Sequence, residues 1–98
     1  MHNHHAVLLF SNSYAESGYT PTHESETIEI EINTFETLAI SDVRKIIQSA
    51  FAKPFAADVK MVVIEAKGIA REAQHALLKI FEEPPLSTKF ILVLPGIE

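Results

Sequence analysis

Six segments of distinct apolar pattern set the framework of the chain. Ala6 to Phe10 (AVLLF) is an unbroken apolar run, the pattern of a strand covered on both faces. Thr27 to Asn33 alternates strictly, with Ile28, Ile30 and Ile32 on one side and Glu29 and Glu31 on the other. That alternation predicts a half-buried strand with its isoleucines on the core, and mid-strand glutamates suit a sheet edge guarded against further pairing. Between the two, residues 11–26 mix Ser, Asn, Gly, Pro, Thr and Glu, broken by Gly18 and Pro21, and read as a flexible loop.

Ser41 stands ahead of Asp42, Val43, Ile46, Ile47, Ala50 and Phe51. A capping hydroxyl, a first-turn acid and an apolar stripe at helical spacing predict a helix over about 41–52. Lys53-Pro54 ends it, because the residue before a proline is pushed out of the helical region. Met61 to Ile64 (MVVI) reads as a central strand, with Gly68 marking the turn after it. Over about 70–83, Ala73, Ala76, Leu77, Ile80 and Phe81 share one face of a second helix that Pro84-Pro85 stops. Phe90 to Leu94 (FILVL) is a third buried strand, closed by Pro95-Gly96. Strands alternating with helices at these spacings imply parallel pairing through right-handed crossovers. The predicted architecture is a small three-layer α/β parallel sheet forming one domain over residues 1–98.

Composition narrows the functional classes. The chain has 98 residues, 47% hydrophobic and 21% charged, which is ordinary for a folded domain. It contains no cysteine, so disulfide frameworks, thiol nucleophiles and zinc-thiolate sites are excluded. No apolar run is long enough to cross a bilayer and the opening MHNHHAVLLF lacks a cleavage site, so a cytoplasmic protein without a membrane is expected. Net charge is −5, with Glu24, Glu26, Glu29, Glu31 and Glu36 crowded together and every Lys and Arg from Arg44 onward. Duplex binding depends on Lys and Arg neutralising phosphates, so this balance disfavours an autonomous DNA binder.

Little in the residues supports catalysis. His2, His4 and His5 carry metal donors, but nothing fixes their geometry and a frayed terminus or an expression tag accounts for them; no metal is assigned. His75 reads as a solvated helix residue. Glu65 closes a buried strand at its carboxyl end, where open α/β sheets place ligands, though position alone makes no active site. Glu82 and Glu83 are adjacent and diverge on a helix, so they form no acid/base dyad. Serines are present without a G-x-S-x-G elbow, and hydrolase chemistry has no support.

Four blocks in fixed order carry a resemblance. They are Ile40 to Ile47 (ISDVRKII), Lys60 to Ala66 (KMVVIEA), Ala73 to Pro85 (AQHALLKIFEEPP) and Thr88 to Leu92 (TKFIL). Together they resemble the bacterial clamp-loader ATPase domain of the AAA+ class, the DNA polymerase III delta-prime and tau/gamma subunits in particular. The most specific element is Ala76 to Pro85 (ALLKIFEEPP), and His5 to Phe10 looks like the family's opening strand. The implied fold is a P-loop-NTPase-like core.

Departures from the family pattern are equally informative. Where the family has the phosphate loop G-x-x-x-x-G-K-[ST], this chain has Ser11 to Gly18, with no lysine and one glycine. Glu65 matches the second acid of the family's Asp-Glu pair, whereas Ile64 takes the place of the magnesium-coupled aspartate, and isoleucine holds no Mg²⁺. The polar sensor residue is replaced at Leu94-Pro95, and the helical lid and collar are not represented. The resemblance therefore implies a nucleotide-free pseudo-ATPase, not an enzyme and without cofactor, acting in DNA replication by protein contact. Glu65 would be a relic or a structural hydrogen-bond acceptor. Partner contacts would fall on Lys79, Glu82, Glu83, Pro84 and Pro85, the partners being the tau/gamma and delta subunits. Ser41, Arg44 and Arg71 are candidates for nucleic acid, reached only within a complex. The alternative is a free-standing interaction or regulatory module, homo-oligomeric through the strand over 27–33 by β-augmentation.

Overall fold

The computed structural model describes residues 6–19, 28–51, 59–83 and 88–95. Strands β1 (Ala6–Phe10), β2 (Ile28–Leu38), β3 (Val59–Ile69) and β4 (Thr88–Leu94) form one wholly parallel sheet in the order β1-β4-β3-β2. The MVVI and FILVL runs lie at its centre, where Val62 pairs with Phe90 and Ile64 with Leu92. Burial on both faces is what selects continuous apolar runs there.

Between the strands run α1 (Tyr14–Ser17), α2 (Ile40–Ala50) and α3 (Arg71–Glu82). The connections β2-α2-β3 and β3-α3-β4 step in one direction along the sheet, so right-handed crossovers put both helices on the same face. Val43, Ile46 and Ala50 of α2 and Ala73, Leu77 and Ile80 of α3 pack there on Val62, Ile64, Phe90 and Leu92. Phe81 adds a ring contact to Phe90 at 5.4 Å. The step from β1 to β2 runs the opposite way, and the same rule sends it across the other face. A thinner layer follows there, in which Tyr14 and Tyr19 cover Met61, Val63, Ile91 and Val93. The predicted α/β parallel architecture is therefore present, with unequal outer layers.

Several local expectations are corrected. The AVLLF strand is an edge strand: Leu8 and Phe10 are 52% and 61% exposed. β2 is the other edge, as expected, but its faces are exchanged. Glu31 pairs in register with Val62 and so shares the helix-bearing face, while Ile30 and Ile32 pair with Met61 and Val63 on the thinner side, where both remain exposed. β2 runs on to Leu38, and β3 runs through Gly68, which pairs with Thr37 instead of turning the chain. Within the predicted loop, Ser13 caps α1 by accepting from the Glu16 N–H, and Gly18 ends it at φ 74°, a left-handed conformation that glycine adopts without steric cost. Residues 20–26 of that loop, like Lys53, Pro54 and Gly96, lie outside the described residues.

Helix α2 begins one residue earlier than predicted. Its N-cap is Ala39, not Ser41, and the cap is inverted: Asp42 reaches back to accept from the Ala39 N–H at 2.9 Å. Asp42 also places negative charge in the first turn, where the helix dipole favours it.

Candidate functional site

Three polar assemblies sit on this scaffold. The first lies where β1 and β4 reach their carboxyl ends, the place where open α/β sheets bind ligands; Glu65, expected to close its strand, instead lies within β3, which runs on to Ile69 because β2 extends beside it to Leu38. A groove of about 370 Å³, of mixed polar and apolar lining, opens there among Ser11 and Asn12 after β1, Thr34 on β2, Glu65 on β3 and Pro95 after β4. Glu65 is its centre. One carboxylate oxygen accepts from the Tyr14 backbone N–H and the other from Thr34 Oγ1 at 2.7 Å. The acid predicted as a relic or a structural acceptor thus bridges the first loop, β3 and the edge strand.

Local bonds hold that loop against the sheet. The Ser11 N–H donates to Leu94 O at 2.8 Å, continuing the ladder beyond β1. Ser17 Oγ donates to Tyr14 O at 2.6 Å and accepts from the Tyr19 N–H at 3.1 Å. Lys89 Nζ stands 5.7 Å from the Tyr19 ring centroid, a cation–π contact. Burial, and then the neighbouring Tyr19, raise the Tyr14 phenol above its ordinary value of 10.0.

The second assembly is at the opposite end of the sheet. Lys60, only 6% exposed, donates to Ser49 O and Ser49 Oγ, each at 3.0 Å, and lies 3.2 Å from Glu31 Oε1. Ser49 Oγ donates to the same Glu31 oxygen at 3.0 Å, while Asn33 Nδ2 donates to Glu31 Oε2 at 3.3 Å. Burial pushes the Glu31 carboxyl up. Hydrogen bonds from Lys60, Ser49 and Asn33, with the charge of Lys60, outweigh it and hold the group below its ordinary value of 4.5. Thr88 Oγ1 donates to Ala50 O at 3.0 Å, so Lys60 and Thr88 together satisfy carbonyls that the end of α2 leaves open. Sequence reading missed this network because its signal, a lysine opening one apolar strand and a glutamate in another, acquires meaning only through register.

The third assembly is the exposed surface of α3. Lys79, Glu82 and Glu83 are exposed near its end, Glu83 already outside helical geometry, and His75 is solvated. Pro84 and Pro85 lie outside the described residues, as do His2, His4 and His5. Ser41, Arg44 and Arg71 are also exposed. Helices α2 and α3 start side by side, since the Ala70 N–H donates to Leu38 O at 2.9 Å. Ser41 and Arg71 therefore share the Glu65 end of the sheet, whereas Lys79 and Glu82 lie toward the far end of α3, a helix about 18 Å long at 1.5 Å per residue. Arg71 and the Lys79 and Glu82 pair thus stand at opposite ends of α3. Among the described residues no His, Asp or Glu cluster is arranged for a metal ion, and no helix is long and apolar enough to cross a membrane.

A four-stranded parallel α/β sheet with a groove at the carboxyl end of β1 and β4 is consistent with a small P-loop-NTPase-like clamp-loader domain. The family model for the DNA polymerase III delta subunit matches residues 2–96, and the chain belongs to that family. It is also similar to the DNA polymerase III subunit gamma of Buchnera aphidicola subsp. Schizaphis graminum (strain Sg), with 33% identity over 70 residues. A second gamma subunit, from Buchnera aphidicola subsp. Acyrthosiphon pisum (strain APS), is 31% identical over 70 residues. Each match covers 70% of this chain and 19% of the relative, so the chain spans about a fifth of the length of the proteins it matches. No solved structure matches the chain.

Proposed function

We propose that the chain serves as a delta-prime-like clamp-loader subunit in DNA replication that works by protein contact and does not hydrolyse ATP. The observation that carries this reading is the loop after β1. In a chain of the DNA polymerase III delta subunit family, it has no lysine, forms a capped turn, and gives its Tyr14 N–H to Glu65. Ile64, buried beside Glu65, offers no oxygen to a magnesium ion. What remains for function is surface. Lys79, Glu82 and Glu83, with Pro84 and Pro85 beyond them, form the proposed contact for tau/gamma and delta subunits. Ser41, Arg44 and Arg71 approach DNA only when such a complex supplies further positive charge, given the net charge of −5.

The test mixes purified chain with gamma and delta subunits from the same organism and follows co-elution, beside equilibrium binding of a fluorescent ATP analogue to the chain alone. Co-elution weakened by Lys79→Glu, with no nucleotide bound, is the expected result. Nucleotide turnover by the isolated chain, or absence of any association, overturns the proposal.

A further inference from the structure

Three oxygens close on Lys60 Nζ at the amino end of β3. Ser49 O and Ser49 Oγ, at the end of α2, each stand at 3.0 Å, and Glu31 Oε1 on β2 stands at 3.2 Å. An ammonium group carries three protons and no acceptor, so each of these oxygens can take one proton. Lys60 pairs in register with Glu29 on one side and Thr88 on the other and is only 6% exposed, so its alkyl stem fills an enclosed space beside the end of α2.

The oxygens do not depend on the lysine for their positions. Ser49 Oγ gives its own proton to Glu31 Oε1 at 3.0 Å, which keeps its lone pairs for a donor. Asn33 Nδ2 donates to Glu31 Oε2 at 3.3 Å and to Val63 O at 3.4 Å, tying the carboxylate to the sheet. Thr88 Oγ1 donates to Ala50 O at 3.0 Å and steadies the last turn of α2. Each of these bonds remains if the Lys60 side chain is cut short. The cage is a preorganised cation site whose present occupant is tied to the chain.

We propose that Glu31 Oε1, Ser49 O and Ser49 Oγ form a binding site for a primary ammonium ion, that the Lys60 head group is its built-in ligand, and that the site takes up a free alkylammonium once that head group is removed. The donors set the class of ligand. One carboxylate calls for one positive charge, and acceptors from a helix end and a neighbouring strand call for N–H groups on several sides. A quaternary ammonium has no N–H, and a guanidinium directs its own within a single plane. Covalent structure sets the length: Lys60→Ala deletes three methylenes and the ammonium, the outline of n-propylammonium. The site stands apart from the replication reading and shares no residue with the partner surfaces assigned there.

Urea unfolding of the whole chain and of Lys60→Ala, in propylammonium chloride against sodium chloride at equal ionic strength, tests it. The midpoint of Lys60→Ala is expected to lie below the parent's and to rise with propylammonium concentration, as binding to the folded state alone requires, while the parent keeps its sodium chloride value. Tetramethylammonium gives no such rise, and Lys60→Arg stays below the parent. Adding Glu31→Gln to Lys60→Ala raises the propylammonium concentration needed at least about tenfold, because the counter-charge is gone. Should Lys60→Ala not fold unaided, return of the parent's circular dichroism spectrum with propylammonium, and not with tetramethylammonium, is the same result. A Lys60→Ala midpoint equal to the parent's overturns the proposal, as does a midpoint that propylammonium leaves unmoved. A rise shared by tetramethylammonium or by the parent, or one that Glu31→Gln does not weaken, overturns it too, since the ion then acts elsewhere.

Discussion

Lys60 Nζ lies 3.2 Å from Glu31 Oε1, and the two residues belong to adjacent parallel strands on the helix-bearing face of the sheet, with Glu29 and Thr88 paired in register beside Lys60. Removing a lysine from water costs free energy unless its protons are satisfied. Here Ser49 supplies two acceptors and Glu31 the counter-charge. The pair ties β2, β3 and the end of α2 together. It also specifies the register of an edge strand, because a one-residue slip would turn Glu31 away from Lys60.

Acid should loosen this tie. Glu31 titrates below 4.5 in the folded protein and near 4.5 when unfolded, so its stabilisation is complete above 4.5 and is lost as pH falls through the lowered folded value. Glu31→Gln is expected to cost about 1 kcal/mol at neutral pH, since water screens a partly exposed carboxylate, and to remove that part of the acid dependence. Lys60→Ala, which leaves the Glu31 carboxylate without its counter-charge and takes a donor from the part-buried Ser49 carbonyl, should cost more, about 2 to 3 kcal/mol. Urea midpoints measured from pH 7 to pH 3 check both; equal pH profiles for Glu31→Gln and the parent would remove the argument.

Helix α3 offers a sharper contrast. Leu77 is buried against the sheet and Lys79, two residues on, is exposed. Leu77→Asp places an unpaired charge in the core and is expected to destabilise by about 3 kcal/mol or more, whereas Lys79→Glu stays within about 0.5 kcal/mol. Equal melting temperatures for the two variants would show that the helix face is wrongly assigned.

A third change isolates the buried hydroxyl at the start of β4. Thr88 Oγ1 donates to Ala50 O, and Thr88→Val keeps the shape while leaving that carbonyl unpaired. The expected loss is about 1 to 2 kcal/mol, read as a lower urea midpoint with unchanged slope. A midpoint equal to the parent's would mean the Thr88 hydroxyl adds nothing to the stability of the α2 end.

What the sequence made legible follows from which forces are local. The central strands and both long helices were readable because MVVI, FILVL and the two apolar stripes report burial directly, and the order of the elements restricts the topology. AVLLF misled, since an apolar run reports the character of a strand but not whether a neighbour lies on each side. The faces of β2 were exchanged for a related reason: Ile30 and Ile32 look like core residues until Lys60 is placed near Glu31, and that placement belongs to pairing between strands about thirty residues apart. Glu65 was legible as a residue at a ligand-bearing edge. Its partners were not, because a bond from the Tyr14 backbone leaves no trace in side-chain identity.

Glu65 supplies the last prediction, which bears on the loop that the functional proposal rests upon. Of the bonds around α1, those of Ser13 and Ser17 are internal to the loop, while the carboxylate of Glu65 reaches Tyr14 from a central strand. Glu65→Ala removes that acceptor and leaves Val63 and Ile91, deep in the sheet, untouched. The Tyr14 amide is then expected to exchange with solvent at least about tenfold faster, while amides of β3 and β4 keep their protection, because local opening needs only the loop to lift. Should the Tyr14 amide stay protected in Glu65→Ala, the loop is held by its own turn and by Tyr19. Should the whole sheet lose protection, Glu65 is a keystone of the fold, and its place at the ligand-bearing edge reflects stability.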